Sequence, residues 1–122
     1  MQESGEMYLE TILILGKSGN AVRAVDISDK MNISKASVSR ALSRLKNEDC
    51  IVVDDKGHIS FTEKGRIIAE KIYERHQLIT EFLVKLGVDY QTASADACKM
   101  EHVISDKTFK AMQSLLLNQN NK

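Results

Sequence analysis

The sequence predicts a mainly α-helical protein that carries one small β-hairpin. Its 122 residues include no proline, the residue that most strongly interrupts a helix. Hydrophobic residues make up 43% and aromatic residues 5%, which suits a modest core of Ala, Leu and Ile side chains. Apolar residues recur at three- and four-residue spacing over most of the chain. Two short β-prone runs flank a turn that contains Gly57, which indicates the hairpin.

Charge is distributed unevenly along a chain whose net charge is zero. From Lys17 to Lys46, seven basic residues stand against two acidic ones, a local excess of +5. This block is compatible with nucleic-acid binding, although a solvated helical surface has the same composition. We expect no signal peptide and no membrane span, because no run of about 18 apolar residues occurs. Cys50 and Cys98 form no disulfide framework, so we expect a cytoplasmic protein.

The first helix is predicted over residues 4–15. Leu9 and Ile12 belong to its apolar face, while Met7 and Glu10, three residues apart, share one side. The spacing therefore gives this helix one face for the core and leaves a thioether and a carboxylate close together.

The second helix is predicted over residues 23–31, with Val25, Ile27 and Met31 facing inward. Asn32 suits the left-handed backbone conformation that ends a helix. A new helix therefore starts only a few residues later.

The third helix is predicted over residues 35–48, with Ser34 as its N-cap and Val38, Leu42 and Leu45 as its core stripe. Two short helices joined by such a turn form a helix-turn-helix. Small side chains and arginine on the exposed face suit a recognition helix in a DNA groove, although serines are also ordinary surface residues. The residues on and beside this face are Ala36, Ser37, Ser39, Arg40, Ser43, Arg44 and Asn47.

The predicted hairpin consists of residues 51–53 and 58–61, joined by a turn over residues 54–57. A hairpin that directly follows a helix-turn-helix is the wing of a winged helix-turn-helix domain. Lys56 and His58, near its tip, can contact phosphates, although solvent-exposed turn residues look the same in a sequence.

Three more helices are predicted in the second half of the chain, over residues 63–86, over residues 90–104, and from Ser105 onwards. We divide the chain into a winged helix-turn-helix domain, residues 1–63, and a helical domain, residues 64–122. The second domain has too small an apolar core to be stable alone, so we expect a homodimer. The caps and stops of its helices are Thr62, Gly87, Asp89 and Ser105.

The fifth helix carries a group of metal-ligand side chains. Cys98, Glu101 and His102 are spaced i, i+3 and i+4, which places them on one helical face. A thiolate, a carboxylate and an imidazole so placed can hold a divalent transition metal. A buried thiol beside a surface Glu–His pair would show the same spacing. The expected core stripe on the other side is Ala93, Ala97, Met100 and Ile104.

Three segments, "MYLETI", "RHQLITEFL" and "DACKMEHVISD", resemble the diphtheria toxin repressor family in the same order. This family of metal-activated repressors also includes the manganese transport regulators, and the similarity spans about residues 6–117. The resemblance implies a divalent metal co-repressor and double-stranded operator DNA as partner. The matching metal positions are Met7, Glu10, His76, Cys98, Glu101 and His102. The residues expected to contact DNA are Arg23, Ser34, Lys35, Ala36, Ser37, Ser39, Arg40, Arg44 and Lys56.

The sequence departs from the family pattern at several positions. Manganese-type members present oxygen ligands at the positions of Met7 and Cys98, so the softer sulfur ligands here shift the preference toward Fe²⁺, Co²⁺, Ni²⁺ or Zn²⁺. Intracellular availability makes Fe²⁺ the expected metal and Mn²⁺ the second, with Co²⁺, Ni²⁺ or Zn²⁺ able to substitute. Thr80 and Ser94 stand where iron-type relatives place further ligands, so one or two metals per subunit both stay open. Ala36 replaces a proline common in the recognition helix, and the chain ends before the SH3-like domain of longer relatives.

The expected function is a metal-dependent transcriptional repressor of metal-uptake or metal-homeostasis genes, with no enzymatic activity and no small organic ligand. The expected mechanism is that metal ties the first helix to His76 and the fifth helix, which fixes the spacing of two recognition helices in a dimer. Three alternatives stay open at this point. The protein senses thiol oxidation through Cys98, it activates water at an open metal position, or it buffers metal without binding DNA.

Overall fold

The elements of the structure follow the predicted order. A computed structural model describes the backbone of residues 3–120 and the side chains of residues 4–118. The chain divides into two compact units, Met1–Glu70 and Lys71–Lys122, which are described separately below. The helices are α1 (Glu3–Gly16), α2 (Ala24–Met31), α3 (Lys35–Asn47), α4 (Glu63–Lys85), α5 (Tyr90–Met100) and α6 (Asp106–Asn120), and the strands are β1 (Ile51–Val53) and β2 (Ile59–Phe61).

The first unit has a core formed by α1, α2, α3 and the hairpin. The apolar stripes predicted for α1 and α3 are confirmed, since Leu9 and Val38 are fully buried and their helical neighbours are buried as well. The inward position predicted for Val25 on α2 is wrong, because its side chain is 42% exposed. Val25 and Ile27 are two residues apart, about 200° around a helix, so they cannot share a face. Ser28 is buried instead, and its hydroxyl donates to the carbonyl of Ile33 at 2.7 Å.

The helix-turn-helix depends on two local caps that the sequence predicted. Asn32 ends α2 in the left-handed conformation, with φ of 55°. Ser34 begins α3, where its side-chain oxygen accepts from the amide of Ser37 at 3.1 Å. These caps satisfy polar backbone groups that the two short helices cannot satisfy themselves.

The wing is an antiparallel hairpin in which Ile51 pairs with Phe61 and Val53 pairs with Ile59. The amide of Ile59 also donates to the carbonyl of Val22 at 2.8 Å, which ties the hairpin to the segment before α2. The wing is therefore held from two sides.

The start of α4 packs closely against the residue that precedes β1. A Cβ atom placed on Gly65 would lie 1.9 Å from the carbonyl oxygen of Cys50. Thr62 caps the helix, since its hydroxyl accepts from the amide of Gly65 at 3.1 Å and donates to the carbonyl of Asp49 at 2.6 Å. Only glycine fits at position 65, so the start of α4 can lie directly against the backbone of Cys50.

The second unit contains the rest of α4 with α5 and α6. Its buried side chains include Ile72, Ile79, Ala93, Ala97 and Leu116. The predicted cap at Asp89 is confirmed, since its carboxylate accepts from the amide of Thr92 at 3.0 Å. That hydrogen bond is the main reason why the pKa of Asp89 lies below its ordinary value. Ser105 caps α6 in the same way through the amide of Thr108, at 3.1 Å.

The fifth helix ends four residues earlier than the sequence predicted. It ends at Met100, with Glu101 as its C-cap, and His102 lies in the turn that follows. The physical reason is a long-range contact, because the guanidinium of Arg75 satisfies the carbonyls of Glu101 and Ile104 outside the helix. Among the described residues, no helix is both long enough and apolar enough to cross a bilayer.

Candidate metal centre and nucleic-acid interface

The face of α3 predicted to contact DNA is open to solvent in the structure. The side chains predicted as DNA contacts are exposed, apart from the half-buried Ser37. The hydroxyl of Ser37 accepts from the Ser34 hydroxyl at 3.0 Å and from an Arg40 guanidinium N–H at 3.3 Å. This chain of contacts holds Arg40 along the helix surface with one of its five donors. The predicted recognition residues thus form one polar surface with a pre-positioned arginine.

Arg23, at the N-terminus of α2, contacts His58 near the tip of the wing. A guanidinium nitrogen of Arg23 lies 3.1 Å from Nε2 of His58. Because arginine has no acceptor, His58 must accept at Nε2, so a neutral ring carries its proton on Nδ1. That nitrogen faces the carboxylate of Asp54 at 3.6 Å. The amide of His58 donates to Asp54 at 2.8 Å and is the main reason why the pKa of Asp54 lies below its ordinary value. Arg23, predicted as a DNA contact, therefore also supports the wing.

Three of the predicted metal ligands come together in the second unit. One ligand atom from each of His76, Cys98 and Glu101 lies within 4.8 Å of the other two. Nδ1 of His76 lies 2.9 Å from a carboxylate oxygen of Glu101 and 3.8 Å from the sulfur of Cys98. The other ring nitrogen of His76 lies 3.3 Å from the hydroxyl of Ser94. We call His76, Cys98 and Glu101 the donor cluster.

The helical spacing predicted that Glu101 faces away from the core, and this prediction is wrong. Its side chain is fully buried, because it follows Ala93 and Ala97 at i+8 and i+4 on the buried side of α5. One carboxylate oxygen contacts His76, and the other lies 3.3 Å from Nε2 of His102. Cys98 is exposed, so the donor cluster runs from a buried carboxylate to an accessible sulfur.

The remaining two predicted ligands, Met7 and Glu10, belong to the first unit. They lie three residues apart on α1, where Met7 is exposed and Glu10 is buried. The other four predicted ligands all belong to the second unit.

Arg75, which was not among the residues predicted for the site, contacts the end of α5. Its guanidinium donates to the carbonyls of Glu101 at 3.3 Å and Ile104 at 3.0 Å. A signal was present in the sequence, because Arg75 stands three residues after Ile72 and four before Ile79, on the buried stripe of α4. A charged residue on such a stripe needs a specific partner.

The donor cluster fits a divalent transition metal by the chemistry of its atoms. An imidazole, a thiol and a carboxylate are the ligand types that Fe²⁺, Co²⁺ and Zn²⁺ accept. Within the described residues, no hydrogen bond reaches the oxygen of Glu101 that faces His102, although this oxygen is completely buried. A buried carboxylate oxygen of this kind is suited to a cation.

A winged helix-turn-helix unit followed by a helical unit with metal-ligand side chains defines a class of two-unit DNA-binding proteins. Residues 1–59 match the family model "Iron dependent repressor, N-terminal DNA binding domain". Residues 62–121 match the model "Iron dependent repressor, metal binding and dimerisation domain". The chain belongs to the family of metal-dependent repressors that includes the diphtheria toxin repressor and the manganese regulators, as the sequence resemblance predicted.

Individual relatives are similar over nearly the whole chain. An HTH-type transcriptional regulator of Methanocaldococcus jannaschii is 34% identical over 93% of this chain and 92% of its own length. The iron-dependent repressor IdeR of Mycobacterium tuberculosis is 31% identical over 95% of this chain. The solved structure of the manganese regulator SloR matches 92% of this chain and 53% of its own, with a TM-score of 0.82 and 29% identity. The chain spans about half the length of IdeR, 51%.

Proposed function

We propose that this protein is a metal-dependent transcriptional repressor of metal-uptake or metal-homeostasis genes. The observation that carries the proposal is the donor cluster, in a chain whose other unit is a winged helix-turn-helix with an exposed arginine-bearing helix. Membership of the family supports both halves of the proposal. Among the relatives named above, IdeR is an iron-dependent repressor and SloR is a manganese regulator, so regulation rather than enzymatic activity is the proposed role.

The proposed metal ligands are the donor cluster together with His102, Met7 and Glu10. A bound ion supplies a cross-link between side chains of different helices, and the protein supplies the geometry. His76 must present a ring nitrogen without a proton and Cys98 must be a thiolate, so binding releases protons. The sulfur of Cys98 makes Fe²⁺ the proposed metal, with Mn²⁺ second.

The proposed DNA reader is α3, in a domain that comprises residues 1–63, while residues 64–122 bind metal and dimerise. Two features support this division. The predicted recognition side chains of α3 are exposed apart from the half-buried Ser37. The second unit exposes large apolar side chains such as Leu86, Tyr90 and Val103, which suit burial against a second copy. The proposed partners are therefore operator DNA and an identical subunit, in the cytoplasm.

The test is a DNA-shift titration under anaerobic conditions with Fe²⁺, Mn²⁺, Zn²⁺ and a chelator. The proposal expects a specific duplex to be bound tightly only with metal. Moving a two-state equilibrium from 1:99 to 99:1 requires about 5.5 kcal/mol of differential affinity, so the change in the dissociation constant should be large. Equal affinity after complete removal of divalent metal contradicts the proposal.

A second candidate function is a regulator that senses thiol oxidation. Cys98 is exposed, so an oxidant can reach its sulfur, which lies 3.8 Å from an imidazole nitrogen. This candidate predicts that an oxidant releases the DNA, that a reductant restores binding, and that a chelator has no effect. The same DNA-shift assay separates the two candidates.

A further inference from the structure

We propose that Arg75 is a positioning residue for the metal site, an inference that rests on the proposed metal binding. Arg75 precedes His76 on α4, and it donates to the backbone of Glu101, the residue that contacts His76 through its carboxylate. Two adjacent residues of α4 are therefore both tied to one residue of the turn after α5. The hydrogen bond from Arg75 fixes the backbone of Glu101, and the contact with His76 involves the Glu101 side chain.

The contacts of Arg75 cover the whole turn from the end of α5 to the start of α6. One guanidinium nitrogen donates to the carbonyls of Glu101 and Ile104. The other donates to the carboxylate of Asp106, and the guanidinium carbon lies 5.3 Å from the ring centroid of Phe109. The carbonyls at a helix end have no partner within the helix, so an arginine fork supplies donors that the turn lacks.

The burial of Arg75 argues for this specific role. Only 8% of the residue is exposed, which is costly for a charge unless its partners are fixed. A helix cap alone needs no buried charge, because water or the backbone amides of a glycine-containing turn donate to the same carbonyls at an exposed helix end. A buried guanidinium instead locks the turn in one conformation, and that turn carries Glu101 and His102.

The test compares the full chain with Arg75→Met, Arg75→Lys and Lys71→Met. Lys71 is the matched control, because its ammonium pairs with the same Asp106 carboxylate at 3.6 Å from a largely exposed position. Co²⁺ is the probe, and its affinity is measured by competition with a chromophoric chelator and its ligand geometry by absorption. Urea unfolding without metal gives the folded fraction, so that affinity is expressed per folded molecule.

The expected result is that Arg75→Met weakens Co²⁺ binding about 10- to 100-fold and alters the Co²⁺ spectrum, as loss of an outer-shell partner does. Arg75→Lys should recover only part of the affinity, since one ammonium cannot reproduce all the hydrogen bonds of the guanidinium. Lys71→Met should leave affinity and spectrum unchanged. If Arg75→Met does not fold, Asp106→Asn, which removes the carboxylate partner of Arg75, must show the same weakening relative to Lys71→Met.

Two outcomes overturn the inference, and they are distinguishable. If the wild-type chain binds Co²⁺ and Arg75→Met binds it with the same affinity per folded molecule and the same spectrum, Arg75 has only a structural role and the metal site stands. If the wild-type chain binds no Co²⁺, the proposed metal site fails and the positioning role fails with it.

Discussion

Replacement of Gly65 by alanine should destabilise the contact between the start of α4 and the backbone of Cys50. The added Cβ would lie 1.9 Å from the carbonyl oxygen and 2.8 Å from the carbonyl carbon of Cys50. Both are backbone atoms, so no side-chain rotation relieves the contact. Because real Cβ atoms essentially never approach within 3.0 Å, the start of α4 must move away from Cys50 by about an ångström.

The cost of this movement follows from the contacts at the start of α4. The amide of Thr62 donates to the carbonyl of Cys50 at 3.0 Å, and the Thr62 hydroxyl donates to the carbonyl of Asp49 at 2.6 Å. A shift of about an ångström breaks both hydrogen bonds, each worth about 1 kcal/mol. Overpacking adds about 1–3 kcal/mol, while the better helix propensity of alanine offsets about 1 kcal/mol. The free energy of unfolding should therefore fall by about 2–4 kcal/mol.

The assay is urea unfolding followed by far-ultraviolet circular dichroism, with Gly16→Ala as the control. A Cβ on Gly16 meets only the Cγ2 atom of Val22, at an ordinary 3.9 Å, so this variant reports alanine propensity without a clash. Gly65→Ala should be the less stable of the two by several kcal/mol, within a total that is about 5–15 kcal/mol for typical domains. Equal stability of the two variants would refute the close packing at Cys50.

Three further predictions concern the metal site, the DNA reader and the dependence on pH. Cys98→Ser should leave the free energy of unfolding without metal within about 0.5 kcal/mol of the wild type, because the side chain is exposed. In a competition assay it should weaken the binding of Co²⁺ more than that of Mn²⁺, and an equal loss for both metals contradicts the sulfur ligand. Arg40→Ala should weaken operator binding by about 1–3 kcal/mol and leave the metal affinity unchanged. The control Arg66→Ala, outside the recognition face, should not weaken operator binding. An unchanged DNA shift for Arg40→Ala contradicts the role of α3 as the DNA reader. The pKa of Asp106 is held below its ordinary 3.8 first by the charge of Lys71 and then by that of the buried Arg75. The stabilising contribution of the Asp106 carboxylate is therefore present above pH 3.8 and is lost as the pH falls through the lower pKa of the folded state. Acid unfolding of Asp106→Asn should lack that decline in stability.

The local features of the fold were predictable because their causes lie within a few residues. The left-handed Asn32 and the caps at Ser34, Asp89 and Ser105 occur where the sequence placed them. Each of the three caps joins a side chain to an amide three residues later, and Asn32 needs only its own backbone conformation, so the signal is contained in a short stretch of sequence. The core stripes of α1 and α3 were predictable for the same reason, since helical periodicity repeats every few residues.

The end of α5 and the burial of Glu101 were not predictable in this way. Periodicity extended the helix to Ile104 and placed Glu101 on the solvent side. In the structure, the carbonyls of both residues are satisfied by Arg75, which lies 26 and 29 residues earlier in the sequence. A contact over that separation decides where the helix stops, and no local pattern contains it. The charged residue on the apolar stripe of α4 was the available signal.

The position of Glu101 also determines what metal binding has to overcome. A fully buried carboxylate is costly unless its oxygens have partners, and here the oxygen that lies 2.9 Å from Nδ1 of His76 has one, whereas no hydrogen bond reaches the other within the described residues. If the donor cluster takes a metal as proposed, coordination must replace the 2.9 Å contact between His76 and Glu101. The measured affinity is then the difference between coordination and this internal contact, which lowers it below that of a site without such competition. A site whose metal-free form keeps the contact between His76 and Glu101 can release its ion without unfolding, which suits a sensor that must respond to changing metal concentration.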